Sequence, residues 1–395
     1  MNMTTKKDIF SSRLPEWLRA KGNRKKRGEI TRAVTLVTGM HPKSVPRSFR
    51  RAQLRDCAGR ETRGRPVVYG SDVTAALSTV WKAGGEPCGE NLHPLIAEYT
   101  DILKRDGDWD HGETATRGLL HMSEGTVKAR IAVFERSRHA AHGKGTTKPG
   151  SILSMVPVRA DGWKDAPAGT MQIDTVAHCG HTTAGDFIYT VNATDAATMW
   201  GGRRAQWNKG QEVTVESMES IECGLPFPAA EWHPDSGSEF INWHCREWCG
   251  KRGVRLTRSR PNRKNDNCFV EERNGHVVRA YVGYARLDAR TAVYALNNLY
   301  AVLTPYLNHF AASRRIVKRE RTGARWKVTR EKKALTPYQR VLARKDVPEE
   351  IKQKLIMEHK RLNPLRLRRK IDLLALEVFN VQRRHGTTVK KDEFR

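Results

Sequence analysis

Three carboxylates in this chain are spaced for metal-dependent phosphodiester chemistry. Asp235 follows the short apolar segment AAEWHP, and Glu271 stands in CFVEE at the start of a predicted helix, with 35 residues between them. Asp174 sits upstream in MQIDTV, in the middle of an apolar run. A carboxylate inside an apolar strand is costly to desolvate unless it is paired or coordinated, and no basic residue lies in that run to pair with it. Carboxylate oxygens suit hard cations such as Mg²⁺ or Mn²⁺. Two such ions about 3.5 to 4 Å apart activate an attacking oxygen and stabilise a leaving one in an in-line displacement, so no Ser, Tyr or Cys nucleophile is required. Asp186, Asp195, Glu239, Asp266 and Glu272 are the competing acids. Asp195 ends a strand and reads as a capping or turn residue, while Glu272 points away from Glu271 by about 100° on a helix.

The elements that must position these acids can be read around them. MQIDTVAH and DFIYTVNATDAATMW have the composition of paired strands, joined by the turn region GHTTAG. EVTVESMESIECGLPF then reads as a helix, AAEWHPD as a strand, EFINWHCREWCGKRG as a helix, VRLTRSRP as a strand and CFVEERNGHVVRAYVGYAR as a long helix. Three strands followed by alternating helix and strand describe an α/β layered fold like ribonuclease H, expected over residues 166–312. Asp174 lies at the centre of its first strand, Asp235 ends the fourth, and the helix after the fifth carries Glu271. RTAVYALNNLYAVLTPYLNHF adds one further helix with a strongly apolar side.

Charge points to the partner. Lys and Arg number 71 against 43 acids, a net +28, which fits a polyanion such as nucleic acid. Residues 1–150 carry 28 basic and 16 acidic side chains, residues 311–395 carry 26 and 10, and the middle has 17 of each. A neutral centre between basic flanks suits a catalytic core fitted with DNA-gripping arms. No apolar run approaches the length of about 20 residues that a bilayer requires, and MNMTTKKDIF lacks a signal-peptide core, so the expectation is a soluble, cytoplasmic, nucleoid-associated protein without a membrane partner. Seven scattered cysteines without a CxxC pair read as reduced thiols. His244, Cys245 and Cys249 read as packing residues on a helix, since no second pair stands at zinc-site spacing.

In residues 1–60, helix, short turn and basic helix give the outline of a helix-turn-helix reader, with Lys43, Ser44, Arg47, Arg50 and Arg51 on the second helix. A helical hairpin with a solvated charged face fits the stretch equally. Pro46 is acceptable only in the first turn of that helix. Residues 66–140 repeat the outline, with Ser123 as N-cap of a helix bearing Thr126, Lys128 and Arg130. Residues 141–165, rich in Gly, Thr and Lys, read as a linker. In the basic region 313–395, RRIVKRERTGARWKVTREKK reads as a small β-barrel or an extended DNA-tracking segment. Arg325 and Lys327 there would neutralise phosphates without reading sequence. Residues 348–380 form helices broken near Pro364, with Leu362, Leu365, Leu367, Ile371, Leu374 and Leu376 as an apolar set for core or for another protomer.

IDTV, TDAAT, LPFP, HPDSGSEFIN, RPNRKNDNCFVEERN, TPYQR and LNPLRLRR together resemble bacterial insertion-sequence transposases of the retroviral-integrase superfamily, over roughly residues 160–376. The resemblance implies that Asp174, Asp235 and Glu271 form a DDE metal-binding triad for two Mg²⁺ or Mn²⁺ ions. It implies that the run Arg258–Asn267 lies near the scissile DNA, where Arg258, Arg260, Arg263, Lys264 and Asn265 would meet it. It further implies DNA transposition and integration: hydrolysis at the element's terminal inverted repeats, then attack of the freed 3′-OH on target DNA by a homodimer or higher homo-oligomer. Two departures stand out. Ser236 follows the second Asp where many relatives have Asn, and the His/Cys zinc module of retroviral integrases has no counterpart here. A nuclease or resolvase that only cuts, and a domesticated DNA-binding regulator, are the alternative functions.

Overall fold

Trp17 stacks on Phe49 with ring centroids 4.4 Å apart and planes 9° apart, and Phe10 meets the same Phe49 ring edge-on at 5.0 Å. These rings join α1 (Met3–Arg19) to α3 (Val45–Cys57), while Ile30 and Val34 enter the same small core from α2 (Arg24–Thr38). Asn23 caps α2 by accepting from the Lys26 N–H, and Gly39, at φ 67°, ends it in the left-handed conformation that a side chain would resist. Pro46 falls in the first turn of α3, where its missing N–H costs nothing.

The computed structural model describes residues 3–57, 68–135, 156–159, 163, 165–235, 237–260, 264–322 and 325–387. The chain forms two units, Met1–Val68 and Tyr69–Arg395. The second begins with α4 (Ser71–Ala83), α5 (Gly89–Leu92), α6 (Ile96–Arg105), α7 (Glu113–Leu120) and α8 (Glu124–Glu135). Ser123 caps α8, its Oγ accepting from the Thr126 N–H at 3.3 Å.

A five-stranded sheet follows, in the order β3-β2-β1-β4-β5. β1 (Thr170–Ala177), β2 (Tyr189–Asp195) and β3 (Gly201–Gln206) are antiparallel, and β4 (Glu231–Pro234) and β5 (Arg255–Leu256) run parallel to β1. Side chains alternate across a strand. Met171 and Ile173 therefore join a core with Met218 of α9 (Gln211–Cys223) and Cys245 of α10 (Trp243–Lys251), whereas Gln172 and Asp174 take the opposite face. Burial in that core pushes the Cys245 and Cys249 thiols up to about 12, in keeping with packing residues. The mixed α/β layout with a central sheet agrees with the sequence-based expectation.

Three elements differ from expectation. The fifth strand has only two residues. The long helix starting at Cys268 is α11 (Cys268–Arg273), then a π turn at Asn274–Arg279, then α12 (Ala280–Val282), because the Asn274 side chain is drawn onto the sheet as described below. The stretch read as a small β-barrel or extended segment is a two-stranded antiparallel ribbon, β6 (Ile316–Thr322) and β7 (Arg325–Arg330); its described side chains are exposed and supply no inward face for a barrel to close around.

α13 (Arg290–Phe310) precedes the ribbon, and α14 (Pro337–Leu342), α15 (Glu349–Arg361) and α16 (Pro364–His385) follow it. Asn363 caps α16 by accepting from the Leu365 and Arg366 N–H groups. Of the C-terminal apolar set, Leu365 and Ile371 are buried, Leu362, Leu367 and Leu374 are partly so, and Leu376 is 56% exposed. α13 is the shared wall of the second unit. Leu296, Leu299 and Leu303 meet Leu77, Val80 and Leu103 from the preceding helices and Ile371 from α16 in one hydrophobic cluster. Two tyrosines reinforce it: Tyr99 Oη donates to the Phe310 carbonyl at 2.5 Å and Tyr306 Oη to the Ala83 carbonyl at 2.8 Å. Among the described residues no helix is long and apolar enough to cross a membrane.

Tyr306→Phe would leave the Ala83 carbonyl buried without its donor. A loss of about 1 to 3 kcal/mol in urea unfolding is expected, and an unchanged midpoint would show that the bond contributes nothing net.

Candidate active site

The acids gather where β1 and β4 run side by side. Asp174 Oδ2 accepts from Asn274 Nδ2 and Oδ1 from the Thr175 N–H, both at 2.7 Å. Asn274 Oδ1 accepts in turn from Asn192 Nδ2 at 2.9 Å, and Asn192 is the cross-strand partner of Asp174 on β2. Asp235 stands just past the end of β4, with Oδ1 accepting from the Gly237 N–H at 2.8 Å. A Cβ at Gly237 would lie 2.7 Å from Glu239 Oε2 and 2.9 Å from Asp235 Oδ1, so only glycine fits between those two carboxylates. Glu239 is buried, and its Oε1 accepts from Thr175 Oγ1 at 3.0 Å and Lys209 Nζ at 3.2 Å.

Electrostatics follow from this crowding. Burial, joined by the charges of Asp235 and Glu239, pushes Asp174 up to about 7 against the hydrogen bonds from Thr175 and Asn274. Burial also raises Asp235, with the Glu239 charge adding to it and the Gly237 N–H and Lys209 opposing.

Glu271 is exposed on α11, one turn before Asn274. Its helix is hung from the sheet by Gln172. That buried side chain accepts from the Phe269 and Val270 N–H groups at 2.9 and 3.2 Å and donates to the Asp266 carbonyl at 3.1 Å. It thereby satisfies N–H groups of the first turn that no helix can pair internally. Asn267, with its amide turned to satisfy both neighbours, accepts from the Asp235 N–H at 3.1 Å and donates to the His233 carbonyl at 3.2 Å. One side of the sheet thus joins Asp174, Asp235 and the start of the Glu271 helix. Among the described residues no group of three or more His, Cys, Asp or Glu side chains stands arranged to hold a metal ion.

Gln172, Asn192 and Asn274 went unassigned from sequence, and Glu239 was named only as a competing acid. Gln172 shares the face of Asp174 two residues away, and Asn274 follows Glu271 by one helical turn; those spacings were the available signals. Asp195 accepts from the Thr198 N–H and hydroxyl at 2.8 and 2.6 Å and from the Gly169 N–H at 3.1 Å, which makes it the turn cap.

The basic candidates divide by environment. On the first unit Lys43, Arg47, Arg50 and Arg51 are exposed and Ser44 is half-buried. In the second unit Thr126 is bonded to Ser123, Lys128 pairs with Glu90 at 2.5 Å, and Arg130 turns inward to the Thr74 hydroxyl and the Tyr69 carbonyl. Arg258 donates to the Val156 carbonyl at 2.9 Å, and Arg260 grips Asp266 through two bonds at 2.7 and 2.8 Å. Lys264 and Asn265 open a 3₁₀ turn, Arg325 opens β7, and Lys327 is exposed on it. Arg263 lies outside the described residues.

No protein-family model matches the sequence. It is 32% identical over 290 residues to "Uncharacterized protein y4rM" of Sinorhizobium fredii (strain NBRC 101917 / NGR234), covering 73% of this chain and 82% of y4rM. The chain belongs to the y4rM family. Among solved structures, the HTLV-2 integrase catalytic core domain in complex with magnesium is similar at 12% identity and TM-score 0.28, over 37% of this chain and 90% of that one. The simian T-cell lymphotropic virus intasome in complex with the PP2A regulatory subunit B56 gamma is similar at 14% identity and TM-score 0.28, over 58% and 70%.

The acidic cluster of this y4rM-family chain has a pH signature. Asp174 titrates near 7 when folded against an ordinary value of 3.8. Between those values the folded chain keeps a proton that the unfolded chain has lost, so stability falls as pH rises from about 4 to 7. Asp174→Asn should flatten that decline in urea titrations without divalent ions and leave the chain more stable at pH 8. Asp195, pushed up to about 6 by burial, keeps a smaller slope of the same sign. A variant less stable than wild type at pH 8 would show that the Asp174 charge is not a burden on the fold.

Proposed function

We propose that this chain is a DNA transposase of the DDE type, which frees 3′-OH ends on a mobile element and joins them to target DNA. The observation that carries the reading is Asp174: a half-buried carboxylate beside Asp235, hydrogen-bonded from the same helical segment that presents Glu271. The donor set suits a hard divalent cation, because it consists of carboxylate oxygens whose mutual repulsion and desolvation a cation would relieve. Asp174, Asp235 and Glu271 would hold Mg²⁺ or Mn²⁺, two ions in all, which would supply activation of the attacking oxygen and charge stabilisation of the leaving one.

The chain's own residues supply the rest. Asn274 and the Thr175 N–H aim Asp174, and Asn192 aims Asn274. Gln172 sets the start of the Glu271 helix. The exposed arginines of α3 would grip the element's terminal repeats, and Arg258, Arg260 and the turn from Lys264 would face the scissile strand, with Arg260 exchanging Asp266 for phosphate. In the first step a water oxygen bonds to phosphorus and the 3′ oxygen leaves with a proton. In the second, that 3′ oxygen bonds to a target phosphorus and displaces the target's own 3′ oxygen. Cutting two ends together calls for a homodimer or larger assembly on DNA.

With Mg²⁺ and the DNA flanking its own gene, the wild-type chain should join ends to a target plasmid. Hydrolysis without any joining would favour a nuclease or resolvase, and DNA binding without either would favour a regulator. Asp174→Ala should abolish cleavage while end binding stays within about twofold; retained cleavage would sink the assignment. Ligand carboxylates must be deprotonated, so Mg²⁺ or Mn²⁺ should raise the melting temperature more at pH 8 than at pH 6. That difference should vanish in Asp174→Ala.

A further inference from the structure

The ribbon β6–β7 is unlike the rest of the second unit, because its described side chains are exposed on both faces. Ile316, Val317 and Val328 are exposed to 44%, 66% and 40%. A two-stranded ribbon on its own is at best marginally stable in water, so this one depends on its base. There Glu331 accepts from Arg340 at 2.6 and 2.7 Å and from the Arg315 N–H and Nε, both at 3.0 Å. Arg340 also donates to the Ser313 carbonyl at 2.8 Å. Arg315 reaches the Ala197 carbonyl at 2.7 Å, in the turn between β2 and β3 that Asp195 caps. The root is therefore pinned to the sheet that carries Asp174, and the strands project from it.

Charge selects the occupant. From Arg314 to Lys333 the sequence has ten basic residues and two acids, and one of those acids, Glu331, is consumed at the root. The other, Glu320, forms an exposed pair with Lys318 at 2.6 Å. Such a surface fits a polyanion. Shape narrows it further: the major groove of B-form DNA, about 12 Å wide, admits a two-stranded ribbon, and thymine offers a methyl group there for apolar contact. A-form RNA has a major groove too narrow for side chains to read. Tracking phosphate alone would need no exposed valines.

We propose that the β6–β7 ribbon enters the major groove of duplex DNA, with Val317 and Val328 against base edges and Lys318, Arg321 and Lys327 toward the flanking phosphates. The Glu331 clamp holds it at a fixed reach from the acidic cluster. This rests on the DNA reading above and deepens it.

The test uses the full chain in EDTA, with a labelled mixed-sequence DNA duplex and an RNA duplex of the same sequence. Wild type should prefer DNA by about tenfold or more, the factor given by roughly 1.4 kcal/mol. The triple substitution Lys318→Gln, Arg321→Gln, Lys327→Gln should weaken DNA binding and lower the salt slope by about 2 to 3, at roughly 0.9 per phosphate contact. Val317→Ser with Val328→Ser keeps the charge, so the salt slope should stay while the preference for DNA over RNA shrinks severalfold. Unchanged melting temperatures would show that each variant is folded, and the serine pair decides the matter if the triple variant is not. Equal losses on DNA and RNA would overturn groove entry in favour of phosphate tracking, as would a serine pair identical to wild type. Wild type failing to cut or join DNA in Mg²⁺ while these binding results hold would remove the transposase reading and leave the ribbon assignment standing.

Discussion

A carboxylate placed in the middle of a buried strand has to be compensated, and much of the architecture around β1 does that for Asp174. The compensation is incomplete by design of the surroundings: Asn274 and Thr175 donate to it, but Asp235 and Glu239 raise the cost of its charge. One of the two hydrogen bonds that lower that cost also ties the Glu271 helix to the sheet, because Asn274 follows directly on that helix. The π turn at Asn274–Arg279 sits where this side chain leaves the helix for the sheet, and such turns occur frequently at functional sites. Positioning and charge compensation are here one set of contacts.

How much of this was legible beforehand depended on period. The apolar run in MQIDTV made Asp174 an anomaly, whereas Gln172, two residues away on the same face, drew no reading. Capping chemistry identified Asp195 as a turn residue and Ser123 as a helix start. The π turn was not legible, since an extra residue in a helical turn leaves no mark in a 3.6-residue pattern. Nor was the burial of Glu239, which the sequence offered only as a competing acid: it depends on Lys209 and Thr175 arriving from elsewhere in the chain. The five helices α4 to α8, read from sequence as a helix-turn-helix module, merge their apolar faces with α13 and α16. Spacing on one helix says nothing about which partner its face will meet.

Net charge needs the same care. The +28 of the sequence counts arginines that solvent never meets. Arg203 and Arg273 are buried, and burial pushes Arg203 down to about 9, with the charge of Arg273 adding to the effect. Arg130 and Arg340 are committed to Thr74 and Glu331. The charge that can meet a polyanion is thus smaller than the sequence total, and the exposed basic side chains of α3 and of the ribbon belong to it.

Gln172 has a consequence for how such a chain can change. Because α11 is suspended from a side chain of β1, the separation of the first and third acids is fixed by a direct span across the sheet and not by the chain that runs from β5 to α11. Within that connecting segment Ser259, Asp266 and Asn267 must keep their bonds to β4, Gln172 and the Asp235 N–H, so a change in length or sequence that spares the acids has to fall between Arg260 and Asp266. Sequence change within those few positions is thereby separated from the spacing of the acids, which β1 sets through Gln172.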